Sequence, residues 1–278
     1  MIVCKTRKEL QEALTRCRQG KSVGLVPTMG ALHDGHASLF ARARAENDVF
    51  VASVFVNPIQ FNNPDDLKNY PRQFEADRNL LEQNGCDIMF APETEEMYPA
   101  GEPVRTYAFG PLENVMEGAR RPGHFAGVGA VVGLLFQLIA PDRAYFGEKD
   151  FQQVAVIKEL ARQMDSGVEI VSCPIKRGDD GLALSSRNAL LTPENRAKAP
   201  AIYATLKKSL AMAHRTCGEV KDWVKSQIAV FPEMELEYFE IADPDSLQPL
   251  DDTLPAAGNV GFIVVWMGKV RLIDNIRY

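Results

Sequence analysis

His33 and His36 stand three residues apart in the run Val26-Pro27-Thr28-Met29-Gly30-Ala31-Leu32-His33-Asp34-Gly35-His36, between an apolar stretch and a helical one. Residues i and i+3 share a helix face, so both imidazoles can address one ligand beside the helix N-terminus, where backbone N–H groups favour phosphate. Gly30 and Gly35 would let the main chain approach that phosphate closely. Each ring donates at least one hydrogen bond in either charge state, which suits negative charge developing on phosphoryl oxygens. Two exposed loop histidines fit the same spacing. So does a zinc site that Asp34 and residues distant in sequence would complete.

Other residue types point to related chemistry. Lys149, in Gly147-Glu148-Lys149-Asp150, opens a helix after a strand and is a compact cation suited to ATP phosphates. Asp150 reads as the N-cap of that helix, with nucleotide contact as a second role. Ser185-Ser186-Arg187 offers hydroxyls and a guanidinium for pyrophosphate oxygens, or forms a polar turn between domains. Gln60 and Gln153 are neutral amides that can orient hydroxyls and a carboxylate without the ion pair that would blunt a carboxylate nucleophile. Arg121 and His124 flank Pro122-Gly123, a turn able to aim either side chain inward in support.

The elements that must position these groups alternate along the chain. Residues 22–26 and 49–56 are near-continuous, β-branched apolar runs, as expected of parallel strands buried on both faces. Between them residues 35–46 form a helical pattern with Leu39, Phe40 and Ala43 apolar. A helix over 74–84, a strand over 87–91, irregular chain over 92–111, a buried helix over 127–140, a strand over 143–146, a helix over 150–164 and a strand over 168–173 follow. The pattern predicts an α/β fold, a Rossmann-like doubly wound parallel sheet. After Pro174 and the turn Gly178-Asp179-Asp180-Gly181 the composition changes. Long helices over 193–214 and 220–231 precede strands over 236–242, 260–266 and 270–276, the last two joined by Met267-Gly268-Lys269. A domain of residues 1–175 and a smaller C-terminal α+β domain of residues 176–278 are expected. Residues 62–69 read as a mobile loop beside Gln60.

A chain of 278 residues is long enough for one large or two modest domains, and 46% hydrophobic with 24% charged residues is an ordinary globular composition. The formal net charge of -6 argues against broad nucleic-acid binding, so an anionic substrate must meet local cations. No apolar stretch reaches membrane-spanning length, and the opening Met1-Ile2-Val3-Cys4-Lys5 is too polar for a signal peptide, so a cytoplasmic location is expected. Cys4, Cys17, Cys86, Cys173 and Cys217 show no C-x-x-C pair and read as idle thiols.

The run over residues 26–36 resembles the H-x-G-H signature of the nucleotidyltransferase superfamily. With four further motifs in order, it resembles the pantoate–β-alanine ligase (pantothenate synthetase) family. Those motifs are Phe55-Val56-Asn57-Pro58-Ile59-Gln60-Phe61, Arg121-Pro122-Gly123-His124-Phe125-Ala126-Gly127-Val128, Phe146-Gly147-Glu148-Lys149-Asp150-Phe151-Gln152-Gln153 and Asp180-Gly181-Leu182-Ala183-Leu184-Ser185-Ser186-Arg187-Asn188. Arg271-Leu272-Ile273-Asp274-Asn275 extends the likeness thinly toward the C-terminus.

The resemblance implies adenylation of pantoate by ATP, then displacement of AMP by β-alanine. It implies His36 as proton donor, with His33, Lys149, Ser186 and Arg187 catalytic. It implies ATP contacts from Met29, Gly30, Ala31, Leu32, His33, Asp34, Gly35, His36, Gly147, Glu148, Lys149, Asp150, Lys176, Leu184, Ser185, Ser186 and Arg187. Pantoate would lie against Gln60 and Gln153, β-alanine also near Gln60, with the smaller domain closing over ATP. The 62–69 loop would shield the hydrolysable adenylate from water. Magnesium is expected with ATP; some relatives carry paired acids where this chain has Ala76-Asp77, so its protein ligands stay unassigned. A homodimer is implied, with no nucleic-acid or membrane partner.

Overall fold

Six parallel strands form the first sheet of the computed structural model, which describes residues 1–278. They are β1 (Ile2–Cys4), β2 (Val23–Thr28), β3 (Val49–Val54), β4 (Ile88–Phe90), β5 (Arg143–Gly147) and β6 (Glu169–Cys173), in the order β1-β4-β3-β2-β5-β6. From β2 the chain winds through β3 to β4, then returns to place β5 on the other side of β2. The winding direction therefore reverses between β2 and β5, and doubly wound sheets bind ligands at such a point, beyond the strands' carboxyl ends. The expected doubly wound architecture is present.

Helices α1 (Arg7–Arg18), α2 (Asp34–Glu46), α3 (Pro64–Asn69), α4 (Phe74–Gln83), α5 (Thr94–Met97), α6 (Met116–Arg120), α7 (His124–Ile139) and α8 (Phe151–Met164) link these strands. Val23, Leu25 and Val51 are buried with α7's Leu135 and Ile139 in one core, while Val26, Phe40, Ala43, Phe50 and Ala52 build another around α2. Helix α7 is apolar nearly all round, as its sequence suggests, and no helix is long and apolar enough to cross a membrane.

By contacts the chain divides into two units, Met1–Glu148 with Gln153–Pro174, and Lys149–Gln152 with Ile175–Tyr278. The second holds α9 (Pro193–Lys198), α10 (Ala201–Ser209), α11 (Cys217–Ile228) and an antiparallel sheet of β7 (Met234–Ala242), β8 (Val260–Met267) and β9 (Val270–Arg277), in that spatial order.

Several elements differ from the sequence reading. Strand β1 and helix α1 are additional. The long helix expected over 193–214 is broken, because Pro200 has no N–H to continue the ladder and instead caps α10. Residues 62–69, read as a mobile loop, include helix α3, capped by Asn63, whose side chain accepts from Asp65 N at 2.8 Å, and opened by Pro64.

Helix α2 carries the two histidines, and its seat on the sheet is Phe40, wholly buried with Ala43. Phe40→Ala should lower unfolding free energy by about 3–5 kcal/mol through lost burial and a residual cavity. Urea denaturation measures this, and a loss under about 1 kcal/mol would mean that α2 is held elsewhere.

Candidate active site

The two histidines cap their own helix. His33 is the N-cap of α2, and its Nδ1 accepts from Gly35 N at 3.0 Å; Nδ1 of His36, at N3, accepts from His33 N at 3.3 Å. This is a capping box built from imidazoles where Ser or Thr and Glu are usual. Its chemical consequence is a fixed tautomer. With both Nδ1 atoms accepting, the proton of each neutral ring sits on Nε2, the atom that can donate to a ligand. The ring centroids are 4.2 Å apart, and His36 stacks on Phe40.

The loop before the cap needs a second restraint. Gly30 and Ala31 both have positive φ, +80° and +51°, a conformation alanine rarely adopts. Buried Asp77, on α4, holds them there: its Oδ2 accepts from Ala31 N at 3.0 Å and its Oδ1 from Leu32 N at 2.7 Å. A Cβ on Gly30 would stand 2.9 Å from Asp77 Oδ2, so glycine is required there for space as well as for backbone freedom. Burial raises the Asp77 pKa above the ordinary carboxylate value, and the Leu32 and Ala31 amides oppose that rise.

Gln60 is buried at the end of a 3-10 turn that begins at Pro58. Its Oε1 accepts from Asn57 Nδ2 at 3.1 Å and its Nε2 lies 3.1 Å from Met29 Sδ, which brings two predicted residues together. Asn57 in turn accepts from the Tyr98 hydroxyl and donates to Gly127 O. Buried His124 Nδ1 donates to Gln60 O at 2.9 Å, so its Nε2 accepts from Arg121 Nη1 at 3.0 Å. These contacts give Arg121 and His124 a positioning place behind Gln60. Gly127 fits closely, since a Cβ there would stand 2.6 Å from Ile59 O and 2.7 Å from Gln60 Cα.

Gly147 ends β5 and Glu148 follows it, while Gln153 lies in the first turn of α8. The first unit thus collects Met29 to His36, Gln60, Gly147, Glu148 and Gln153. The second holds Lys149, Asp150, Lys176, Leu184, Ser185, Ser186 and Arg187. There Lys149 Nζ lies 3.5 Å from Asp150 Oδ2, with Asp150 closing a 3-10 turn just before α8. Leu184 N donates to Lys176 O at 3.0 Å across a narrow hairpin. Ser185 then caps the 3-10 turn Ser186–Leu190, its hydroxyl accepting from Arg187 N at 3.3 Å. No group of three or more His, Cys, Asp or Glu gathers as a metal ion would need.

Sequence reasoning offered Asp77 only as a possible metal ligand, because amides 45 and 46 residues away leave no sequence signal for its clamp. The sign of its titration gives a test. As pH falls, Asp77 takes up its proton above the ordinary carboxylate range, and the neutral acid grips the two amides less firmly. In that same window the folded chain holds a proton that the unfolded chain releases, so this group favours folding as pH falls even while the loop loosens. The Ala31 and Leu32 amide proton shifts should titrate together above the usual Asp range, and Asp77→Asn should abolish the titration. Flat shifts in the wild-type chain would contradict the clamp.

A family profile described as pantoate-beta-alanine ligase matches residues 2–277. A pantothenate synthetase of Bacteroides fragilis is 54% identical over 280 residues, covering 100% of this chain and 99% of that protein. One from Corynebacterium glutamicum is 50% identical and covers 100% of both. The crystal structure of pantothenate synthetase from Thermus thermophilus superposes with a TM-score of 0.93 at 46% identity, covering 100% of this chain and 99% of the other. Pantoate-beta-alanine ligase from Francisella tularensis, complexed with beta-gamma ATP and beta-alanine, gives a TM-score of 0.84 at 36% identity, covering 100% and 97%. With the histidine cap, the Gln60 network and the doubly wound sheet all in place, this chain belongs to the pantoate–β-alanine ligase family.

Proposed function

We propose that this chain joins pantoate to β-alanine in two steps, using ATP. A pantoate carboxylate oxygen attacks the α-phosphorus, forming pantoyl adenylate and expelling pyrophosphate. The β-alanine amine then attacks the acyl carbon, gives up a proton and displaces AMP, leaving pantothenate. The observation that supports this most directly is the reciprocal histidine cap: with both Nδ1 atoms accepting from the backbone, each neutral ring carries its proton on Nε2, a donor suited to negative charge growing on phosphate oxygens.

His36 is the proton donor in this reading, and His33 shares the charge. Lys149, Ser186 and Arg187 take the phosphate oxygens, and the main chain of Met29 to Gly35, with Gly147, Glu148, Asp150, Lys176, Leu184 and Ser185, lines the nucleotide. Gln60 and Gln153 orient pantoate, and β-alanine comes beside Gln60. Magnesium arrives with ATP. Asp77 does not suit it as a direct ligand, because the carboxylate is buried and each oxygen already serves a loop amide; bound with ATP, the ion would supply neutralisation of phosphate charge. The family resemblance extends the proposal to a cytoplasmic homodimer.

Pantoate-dependent exchange of labelled pyrophosphate into ATP, without β-alanine, tests the first step. His36→Ala should slow that exchange by about 10²–10³, the usual loss for one preorganised donor; a slowing below about threefold removes His36 from the chemistry. Gly127→Ala pushes on the Gln60 backbone and should raise the KM for pantoate by about 10- to 100-fold with the KM for ATP little changed. Equal rises in both constants would show that the Gln60 turn is not specific to pantoate.

A further inference from the structure

Two neighbouring residues of β9, Asp274 and Asn275, hold different parts of the second unit's cationic apparatus. Successive strand residues face opposite sides of a sheet. On one side, buried Asp274 receives the Arg177 guanidinium in a bidentate pair, Nη1 to Oδ2 at 2.6 Å and Nη2 to Oδ1 at 2.9 Å. Arg177 also donates to Gly181 O and lies 3.6 Å over the Tyr203 ring. It is the second residue of the hairpin in which Lys176 O meets Leu184 N and Arg177 pairs with Ala183. That hairpin runs directly into Ser185, Ser186 and Arg187. On the other side, buried Asn275 donates from Nδ2 to Lys149 O at 3.2 Å. Arg277, two residues on and on the same face, covers the Phe151 ring at 4.9 Å, and Phe151 packs edge-on against Phe262, the register partner of Asn275.

We propose that Asp274 and Asn275 are positioning residues for adenylation, Asn275 seating the Lys149 backbone and Asp274 the hairpin that leads to Ser186 and Arg187. This rests on the function proposed above. Neither residue needs to touch ATP. A bidentate, stacked guanidinium is geometrically stiff, so it transmits the place of β9 to the hairpin. The Asn275 amide fixes a carbonyl rather than the ammonium of Lys149, so it sets where the side chain starts while leaving its charge intact.

The test separates the half-reactions. Asn275→Ala and Asp274→Asn should each slow pantoate-dependent pyrophosphate exchange about three- to tenfold, the scale of one lost hydrogen bond, with a raised KM for ATP. Conversion of synthetic pantoyl adenylate and β-alanine to pantothenate should be slowed much less, since the pyrophosphate leaving group has already gone. In a Lys149→Ala background, Asn275→Ala should add almost nothing, since the group it positions is gone. Thermal melting checks each variant, and Asn275→Ser, which keeps a donor, should recover part of the loss. Equal slowing of both half-reactions, or full additivity with Lys149→Ala, would overturn the proposal. Absence of exchange in the wild-type chain would instead overturn the function on which it rests.

Discussion

A buried carboxylate shared between two backbone amides is the constraint on which the histidine loop depends. Asp77 keeps Gly30 and Ala31 in a left-handed path that the chain would otherwise leave. Burying that charge costs free energy, and the two N–H donors offset it only when the loop has the right shape. The loop and the acid therefore select each other. Once the path is set, His33 arrives at the N-cap and His36 one turn later, and the helix that they cap orients both rings.

A similar pattern recurs around Gln60 and in the second unit. Backbone carbonyls and amides, not reactive side chains, receive most of the supporting hydrogen bonds: His124 on Gln60 O, Asn57 on Gly127 O, Asn275 on Lys149 O. Fixing main chain sets where a side chain starts, although at Gln60 the side-chain amide is itself engaged, by Asn57 and Met29. Close contacts without side chains serve the same end, as at Gly127.

How much of this could be read in advance follows from where each signal lies. The strands through residues 22–26 and 49–56 were plain because a parallel strand buried on both faces is apolar without interruption. The histidine turn was plain because both residues lie within four positions. Strand β1 went unread, as three residues carry little pattern, and α3 was hidden in a polar stretch whose only cue was Asn63-Pro64. Asp77, Arg177 and Asp274 were invisible as supports for a different reason. Their partners are 45 to 97 residues distant, and an isolated acid or arginine looks the same in sequence whether it is solvated or clamped. The family resemblance marked the neighbourhoods of Asp77 and Asp274, the first only as a possible metal ligand and neither as a support.

The chain enters the second unit at Lys149, leaves it after Gln152, and returns at Ile175. During synthesis those four residues emerge long before the strand that receives them, because Asn275 lies 126 positions later. All six strands of the first sheet have been synthesised by Cys173, about a hundred residues before β9 is complete. Until β9 is made, the Lys149 carbonyl has no Asn275 amide to meet it, so this hydrogen bond is among the last contacts that synthesis allows.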